Sequence, residues 1–370
     1  MNALLITRAD ELRRAAATWK QAEILAVDTE FVFERTYYPR LGLVQLATAG
    51  EIWLVDPVAC GDLSALGDAL TGPGLKALHS ATGDLAVLFR ALGTLPHPIV
   101  DTQVAAAFAG LGSGISYQRL VEAVIGKLLV KGETRSDWLA RPLSPEQLAY
   151  AAEDVVDLEE VVLQLRERLS PLGRWDWVLA DSARLLETAR PLPVESAPDR
   201  LRGLDRLPPA DRTAAQALAI WREREAIARD LPRRWVLDDA ALYLLARYRP
   251  ANREELEGIA GLEQRAVKRD GEAWLSILAE AAKSPLEPRL PARGRPSPRE
   301  RHLADRLHRL VRRRAEELAL PPELLASRRL VEELAADALA GRLELRRELA
   351  GWRRGVLGDE LLAAARSTVE

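Results

Sequence analysis

Cysteine is almost absent from this chain: Cys60 is the only one in 370 residues. A lone thiol excludes an intramolecular disulfide framework, and four scattered histidines leave no Cys/His cluster of zinc-ligand spacing. A reducing, cytoplasmic setting is the expectation. Long apolar runs are missing as well. The amino terminus offers only Leu4-Leu5-Ile6 before charge returns, too little for a signal-peptide core, and no stretch is long enough to cross a bilayer. An excess of one charge sign is also lacking. Lys+Arg of 52 against Asp+Glu of 55 gives a formal charge of -3, so no global basic field announces nucleic acid, and any such binding must come from local patches. With 29% charged residues and this length, a soluble protein of two or three domains is expected.

What is present begins with Val27-Asp28-Thr29-Glu30-Phe31, an acidic step at the end of the apolar run Ile24-Leu25-Ala26-Val27. That run reads as a buried β-strand. Side chains alternate faces along a strand, so Asp28 and Glu30 point together while Thr29 and Phe31 point to the other side. Two carboxylates converging at a strand end are costly unless something positive lies between them, and a hard divalent cation with oxygen ligands answers that need. An isolated Asp-x-Glu is more often a satisfied strand-end acid beside a surface glutamate. The rest of the chain decides.

Helix-forming Asp10 to Gln21 leads into this strand, which is expected to be the first. Gly42 to Thr48 and Glu51 to Val55, joined by Ala49-Gly50, predict a tight antiparallel hairpin, so the sheet starts as a meander. Helix (Leu63 to Leu70), short strand (Lys76 to His79), helix (Thr82 to Leu92) and strand (Pro98 to Asp101) follow. This order implies an α/β domain with a mixed sheet and helices on both faces. Ser144-Pro145-Glu146-Gln147 carries N-cap, first-turn proline and capping-box signals for one long helix from Pro145 to about Leu169. Prolines 191, 193, 198, 208 and 209 then mark a domain boundary, beyond which the chain is helical only. After a second proline cluster the theme recurs, a Leu320-Pro321-Pro322 break answering Leu231-Pro232. An internal duplication of a small helical domain is expected.

Further acids complete a pattern. Asp84 falls in the first turn of the helix after His79, where a helix-start acid is ordinary. Tyr150 and Asp154, four apart, share one face of the long helix. Four carboxylates with no nitrogen or sulfur ligand suit two magnesium or manganese ions.

These motifs resemble those of the DEDD exonuclease superfamily in its tyrosine variant. Together with Thr36-Tyr37-Tyr38-Pro39, Gly42-Leu43-Val44-Gln45-Leu46 and Asp137-Trp138-Leu139-Ala140-Arg141-Pro142-Leu143, they make the chain from about Ile6 to Leu169 similar to the bacterial ribonuclease D family. The helical half is similar to helicase and ribonuclease D C-terminal (HRDC) domains, the last segment being a divergent second copy. The resemblance implies a ribonuclease H-like exonuclease domain over residues 1–190, a linker at 191–209, an HRDC domain at 210–284, a linker at 285–298 and a second HRDC-like domain at 299–370. It implies a hydrolase that removes nucleoside 5′-monophosphates from the 3′ end of structured RNA such as tRNA precursors, working as a monomer. Asp28, Glu30, Asp84 and Asp154 would be ligands of two Mg2+ or Mn2+ ions. One ion would be held by Asp28 and Asp154 with a further carboxylate, the second largely by Asp28, and Tyr150 would aim the attacking water. An exonuclease acting on DNA and a non-catalytic RNA-binding scaffold are the alternatives. A scaffold should have lost an acid, and none is missing.

Candidate substrate contacts are Phe31, a wedge or stacking group that faces away from the acids; the aromatic-basic loop Arg35, Tyr37, Tyr38 and Arg40; and Gln45 and His79, which could line the pocket. Residues Arg135 to Trp138 are expected to fold over the cleft, with Trp138 anchoring that turn as the plainer reading. In the helical half, Arg222, Arg224, Arg229, Arg233, Arg234, Arg312 to Arg314, Arg328-Arg329, Arg346-Arg347 and Arg353-Arg354 are candidate phosphate contacts, although most are interleaved with acids. Trp221, Trp235, Trp274 and Trp352 read as core. All the strands precede Pro198, so residues 1 to about 197 are expected to fold alone.

Overall fold

The structure is a computed structural model and describes residues 3–129, 136–283 and 296–367. Arg135 and positions 285–295 of the expected second linker lie outside the described residues. Two compact units form: Met1–Val32 with Pro39–Arg190 and Pro296–Glu370, and Phe33–Tyr38 with Pro191–Arg295.

The first unit holds a six-stranded sheet built from β1 (Ala3–Ile6), β2 (Ile24–Val32), β3 (Arg40–Thr48), β4 (Glu51–Val55), β5 (Leu75–Leu78) and β6 (Ile99–Asp101), in the order β1-β4-β3-β2-β5-β6. β2, β3 and β4 form the expected antiparallel meander. β1 runs parallel to β4, β5 parallel to β2 and β6 parallel to β5, which makes the sheet mixed as the sequence predicts. At the β3–β4 turn Ala49 and Gly50 both take positive φ, 50° and 79°, as a two-residue hairpin of type I′ requires. The strand at residue 24 is not the first, however. Leu4-Leu5-Ile6 forms an edge strand whose register, Ala3 opposite Ile52 through Ile6 opposite Val55, is set by a partner far along the chain.

Both faces of β2 are buried, which is why residues 24–27 read as an unbroken apolar run. Ile24 and Ala26 join a core with Leu43, Val155 and Val162, while Leu25 and Val27 join a second core with Leu46, Leu85 and Leu88. The capping box at Ser144 and Gln147 is made, but the long helix is two, Pro145–Val156 and Leu158–Leu169. Asp157 (φ -99°, ψ -4°) interrupts the run, and its carboxylate accepts from Lys127 Nζ at 2.7 and 2.8 Å. Each half keeps its apolar face in the first core, so the bend loses little burial.

Helix Trp175–Thr188 carries the carboxyl-terminal helices. Trp177 stacks on Trp352 at 4.5 Å, Asp181 accepts two hydrogen bonds of 2.6 Å from the Arg353 guanidinium, and Leu303, Leu307 and Leu334 continue the core that contains Phe108 and Val161. Residues 1 to about 197 cut from the chain would lose an aromatic and ion-paired surface on this helix.

The second unit packs helices Pro209–Arg229, Asp239–Tyr248 and Gln264–Lys283 around Leu218, Leu242, Leu245 and Trp274. The loop that leaves β2 belongs to it. Tyr37 donates its hydroxyl to Glu223 Oε1 at 2.5 Å, and the Tyr37 and Tyr38 amides donate to Asp230 Oδ1 at 3.1 and 3.2 Å. Trp274 is buried as expected. Trp235 is not core: it is 46% exposed, because the short helix Arg233–Val236 turns only Val236 inward. The helical theme does recur. A 21-residue helix, a left-handed residue, a proline-led four-residue helix and a side-chain-capped helix appear in the second unit (Pro209–Arg229, Asp230, Arg233–Val236, Asp239–Tyr248) and again at Pro298–Leu318, Ala319, Pro322–Leu325 and Arg328–Leu339.

Candidate active site

Period-two alternation at the end of β2 sends Asp28 and Glu30 toward the helix Pro145–Val156, whose own repeat presents Tyr150 and Asp154. Carboxylate oxygens of Asp28, Glu30 and Asp154 all come within 4.8 Å of one another. Asp84, in the first turn of helix Thr82–Leu92, is not among those three. It lies close enough to Asp28 and Glu30 to raise the pKa of both.

What fixes Asp84 is a residue whose part the sequence reading missed. Thr29, between the two acids and facing the opposite way, donates its hydroxyl to Asp84 Oδ1 at 2.5 Å, and both groups are buried. The alternation itself carries that signal: a polar residue sandwiched between outward acids, on the side where the next helix begins, needs a partner there. A second missed residue is Tyr117, whose buried hydroxyl has its pKa raised by burial and by Asp157, Asp154 and Asp28. The third is Arg141. It donates to Asp56 at 2.6 and 2.8 Å and to the carbonyls of Gly42 (2.7 Å) and Trp138 (2.9 Å), fastening the 138–141 turn to β3. Trp138 is buried there, and a Cβ at Gly42 would lie 2.6 Å from its carbonyl oxygen, so only glycine fits. The turn is anchored as the plainer reading has it.

The other candidates sort by environment. Gln45 pairs across the strand with Asp28, fully buried, and among the described residues neither atom of its amide has a hydrogen-bond partner. An orphaned buried amide costs about 1–3 kcal/mol, which marks a group reserved for something beyond the fold. His79 is committed at both ring nitrogens, to Thr102 Oγ1 at 2.9 Å and the Ile115 carbonyl at 3.1 Å, with its pKa lowered by burial. Phe31 points away from the acids and presses on the helix start, where a Cβ on Gly83 would meet its ring at 3.0 Å. Tyr37 is held between Glu223 and the Arg233 guanidinium, which lies 4.7 Å over its ring. Tyr38 packs edge-on against Tyr37, and Arg35 is exposed.

Charge sets what this cluster can do. Burial, then repulsion from Asp84, Asp154 and Glu30, holds the Asp28 pKa well above the carboxylate range. Burial and the neighbouring Asp154 and Asp84 push Glu30 up to about 8. Burial raises Asp84 to about 6 against the pull of the Thr29 hydroxyl, and raises Asp154 to about 6 against the hydrogen bond from Tyr150. Among the described residues none of the four acids is ion-paired. The donor set is all oxygen, anionic when deprotonated and self-repelling, which is the chemistry a hard divalent cation relieves.

A pH dependence of stability follows. Unfolded, these acids titrate near 3.9 and 4.3; folded, they hold protons that the unfolded chain has already released. Stability from this source is present at low pH and lost as pH rises through the folded values of about 6 to 8. His79 and His308, whose pKa values are lowered, act in the opposite sense only below their ordinary range, and Lys76, lowered by burial to about 8, acts in the opposite sense from about that value upward. Metal-free protein should therefore melt at progressively lower temperature from pH 6.0 to 7.5, below the range of Lys76, and added Mg2+ should raise the midpoint more at pH 7.5 than at 6.0. A midpoint that climbs across this window without metal would remove the acids from one another's field.

Comparisons agree with this layout. Residues 4–171 match the family model described as a 3′-5′ exonuclease, and residues 211–278 match that of the HRDC domain. The chain is 38% identical to Ribonuclease D of Pseudomonas paraeruginosa over 360 residues, covering 96% of each, and 39% identical to Ribonuclease D of Xanthomonas oryzae pv. oryzae over 366 residues, covering 96% of this chain and 97% of that one. Among solved structures it resembles Escherichia coli RNase D, an exoribonuclease involved in structured RNA processing, with a TM-score of 0.91, 31% identity and 99% of both chains covered.

Proposed function

The chain belongs to the ribonuclease D family of 3′-5′ exoribonucleases, and on that premise we propose that Asp28, Glu30, Asp84 and Asp154 are its catalytic acids, with Tyr150 as the group that aims water. The substrate we assign is the 3′ end of structured RNA, tRNA precursors foremost, with nucleoside 5′-monophosphates as products. The observation that carries this is the convergence of Asp28, Glu30 and Asp154 within 4.8 Å, with no ion pair to offset them among the described residues.

We assign two Mg2+ or Mn2+ ions to these acids, Asp28 contributing to both. Such ions, when bound, supply positive charge that acidifies the attacking water and neutralises the leaving 3′-oxygen. The remaining steps belong to side chains. The Tyr150 hydroxyl, its pKa raised by burial and by Asp154 and Glu30, stays protonated at any working pH. It cannot act as a base, so it serves by donating a hydrogen bond and orienting the nucleophile. Thr29 keeps the Asp84 carboxylate turned toward the other acids, and the Gln45 amide has a donor and an acceptor to offer beside Asp28.

Residues 1–190 are assigned as the exonuclease domain, 210–284 as the HRDC domain and 299–370 as its second copy, on the strength of the repeated helix order, with linkers at 191–209 and 285–298. One chain carries all these parts, so a monomer suffices, and a single buried thiol suits a reducing cytoplasm. The test is competition: purified protein given 3′-extended tRNA and a DNA of matched sequence with Mg2+. The extended tRNA should shorten to its mature end while the DNA persists. Equal loss of both would assign a general exonuclease, and loss of neither a binding scaffold.

A further inference from the structure

One buried acid of the first unit has no part in the centre assigned above. Asp101, 2% exposed, ends β6 beside Leu78 of β5 and makes no ion pair among the described residues. An acid buried without a cation has to be held by hydrogen bonds, and backbone N–H groups supply them here. Those of Gln103 and Val104 donate at 2.8 and 3.3 Å, at the start of the helix Thr102–Phe108 that Asp101 caps. Those of Ser80 and Ala81 donate at 3.2 and 2.9 Å, from the turn that joins β5 to helix Thr82–Leu92. That second helix carries Asp84 in its first turn.

Capping accounts for the first pair of bonds. The second pair reaches a different element, and the local backbone shows why it is required. Helix Thr82–Leu92 has no side-chain cap of its own at Ala81, and Ser80 before it sits at φ 57°, a left-handed conformation disfavoured for a residue with a Cβ. Such backbone persists only where its surroundings fix it. Asp101 holds the amides of Ser80 and Ala81, while Thr102, next in the chain, donates its hydroxyl to the Leu78 carbonyl at 3.1 Å. Asp101 is fixed in its turn. Its own N–H donates at 3.0 Å to Oγ of Ser182, a fully buried serine of helix Trp175–Thr188, next to the Asp181 that Arg353 grips.

We propose that Asp101, braced by Ser182, is a positioning residue of the exonuclease centre: it sets where Asp84 stands against the other three acids, and with that the affinity of the centre for its cations. The inference rests on the assignment of Asp84 to that centre. Both oxygens of Asp101 are committed to backbone amides, so it acts through the 80–84 turn. A carboxamide cannot replace it. Each oxygen faces N–H donors, and an asparagine would turn its own NH2 toward one set of them.

The test uses the full-length protein without RNA. By isothermal calorimetry, Asp101→Asn should bind Mn2+ about 10-fold to 100-fold more weakly than wild type, the range for a group that orients a metal ligand. Amide hydrogen exchange in EDTA should be faster at Ser80 and Ala81 in this variant and unchanged along β2. In turnover the Mg2+ requirement should rise by the same factor with KM for RNA unchanged. Asp101 also opposes the charge of Asp84, so Ser182→Ala, which alters no charge, should move every reading the same way by a smaller amount. Ser327→Ala, which uncaps helix Arg328–Leu339, should leave them all at wild type. Should Asp101→Asn not fold, Ser182→Ala decides alone. Wild-type affinity and exchange in Ser182→Ala overturn the proposal, since an effect confined to Asp101→Asn would trace to charge. Equal loss in Ser327→Ala overturns it as general destabilisation. In both cases the exoribonuclease reading stands as long as wild type binds Mn2+; if wild type binds none, that reading falls and this inference with it.

Discussion

Asp28→Asn should lower turnover by roughly 1000-fold or more while leaving the metal-free protein at least as stable as wild type at pH 8. The first half follows from losing the acid assigned to both cations: a metal centre contributes several kcal/mol to the transition state, and each 1.4 kcal/mol is a factor of ten. The second half follows from the geometry of this site. Asp28 is surrounded by Asp84, Asp154 and Glu30, so its charge is opposed from every side, and a carboxamide of the same shape removes that repulsion. A variant that is inactive because it is unfolded would fail the melting measurement. Only an inactive, equal or more stable protein fits the account, and near-wild-type turnover by Asp28→Asn would reject the centre.

Tyr150→Phe should lower kcat by roughly 10-fold to 1000-fold with KM nearly unchanged. The ring stays and with it the packing against Trp138, 6.1 Å away between centroids. What leaves is a hydroxyl that burial and the surrounding acids keep protonated. Since that group never titrates in the working range, the pH profile of the variant should keep the wild-type shape above pH 7 at lower amplitude, while its acid limb moves up because Asp154 loses the hydrogen bond that lowers its pKa. Single-turnover kinetics over pH 6 to 9 would check both points. A change of shape above pH 7 would make the hydroxyl part of the proton transfer, and an unchanged kcat would return Tyr150 to the core.

Local signals carried much of this site into view. The face shared by Asp28 and Glu30 follows from strand alternation, that of Tyr150 and Asp154 from helical repeat, and the start of their helix from the Ser144 capping box, all of which need only a few neighbouring residues. The parts that escaped depend on distant ones. β1 is four residues long and pairs with β4 some fifty positions later, and Asp157, at the helix break, pairs with Lys127 thirty positions earlier. The Thr29 tether on Asp84 spans 55 positions and the Arg141–Asp56 pair 85. Trp235 reads as core from its chemistry alone, since nothing nearby tells which side of a four-residue helix turns inward. The packing of the last helices on Trp177 is likewise invisible in a pattern of periodicity, because any amphipathic helix could have found another face.

The central claim is that the acids around β2 form a metal-dependent centre working from the 3′ end. It is tested most directly by resolving the products of a 5′-labelled single-stranded RNA, at single-nucleotide steps, in Mg2+ and in EDTA. The account predicts a ladder that shortens one nucleotide at a time with Mg2+, release of nucleoside 5′-monophosphates, no products in EDTA, and no ladder from Asp28→Asn. Internal cuts, release of 3′-phosphates, or a ladder that persists in EDTA would contradict it.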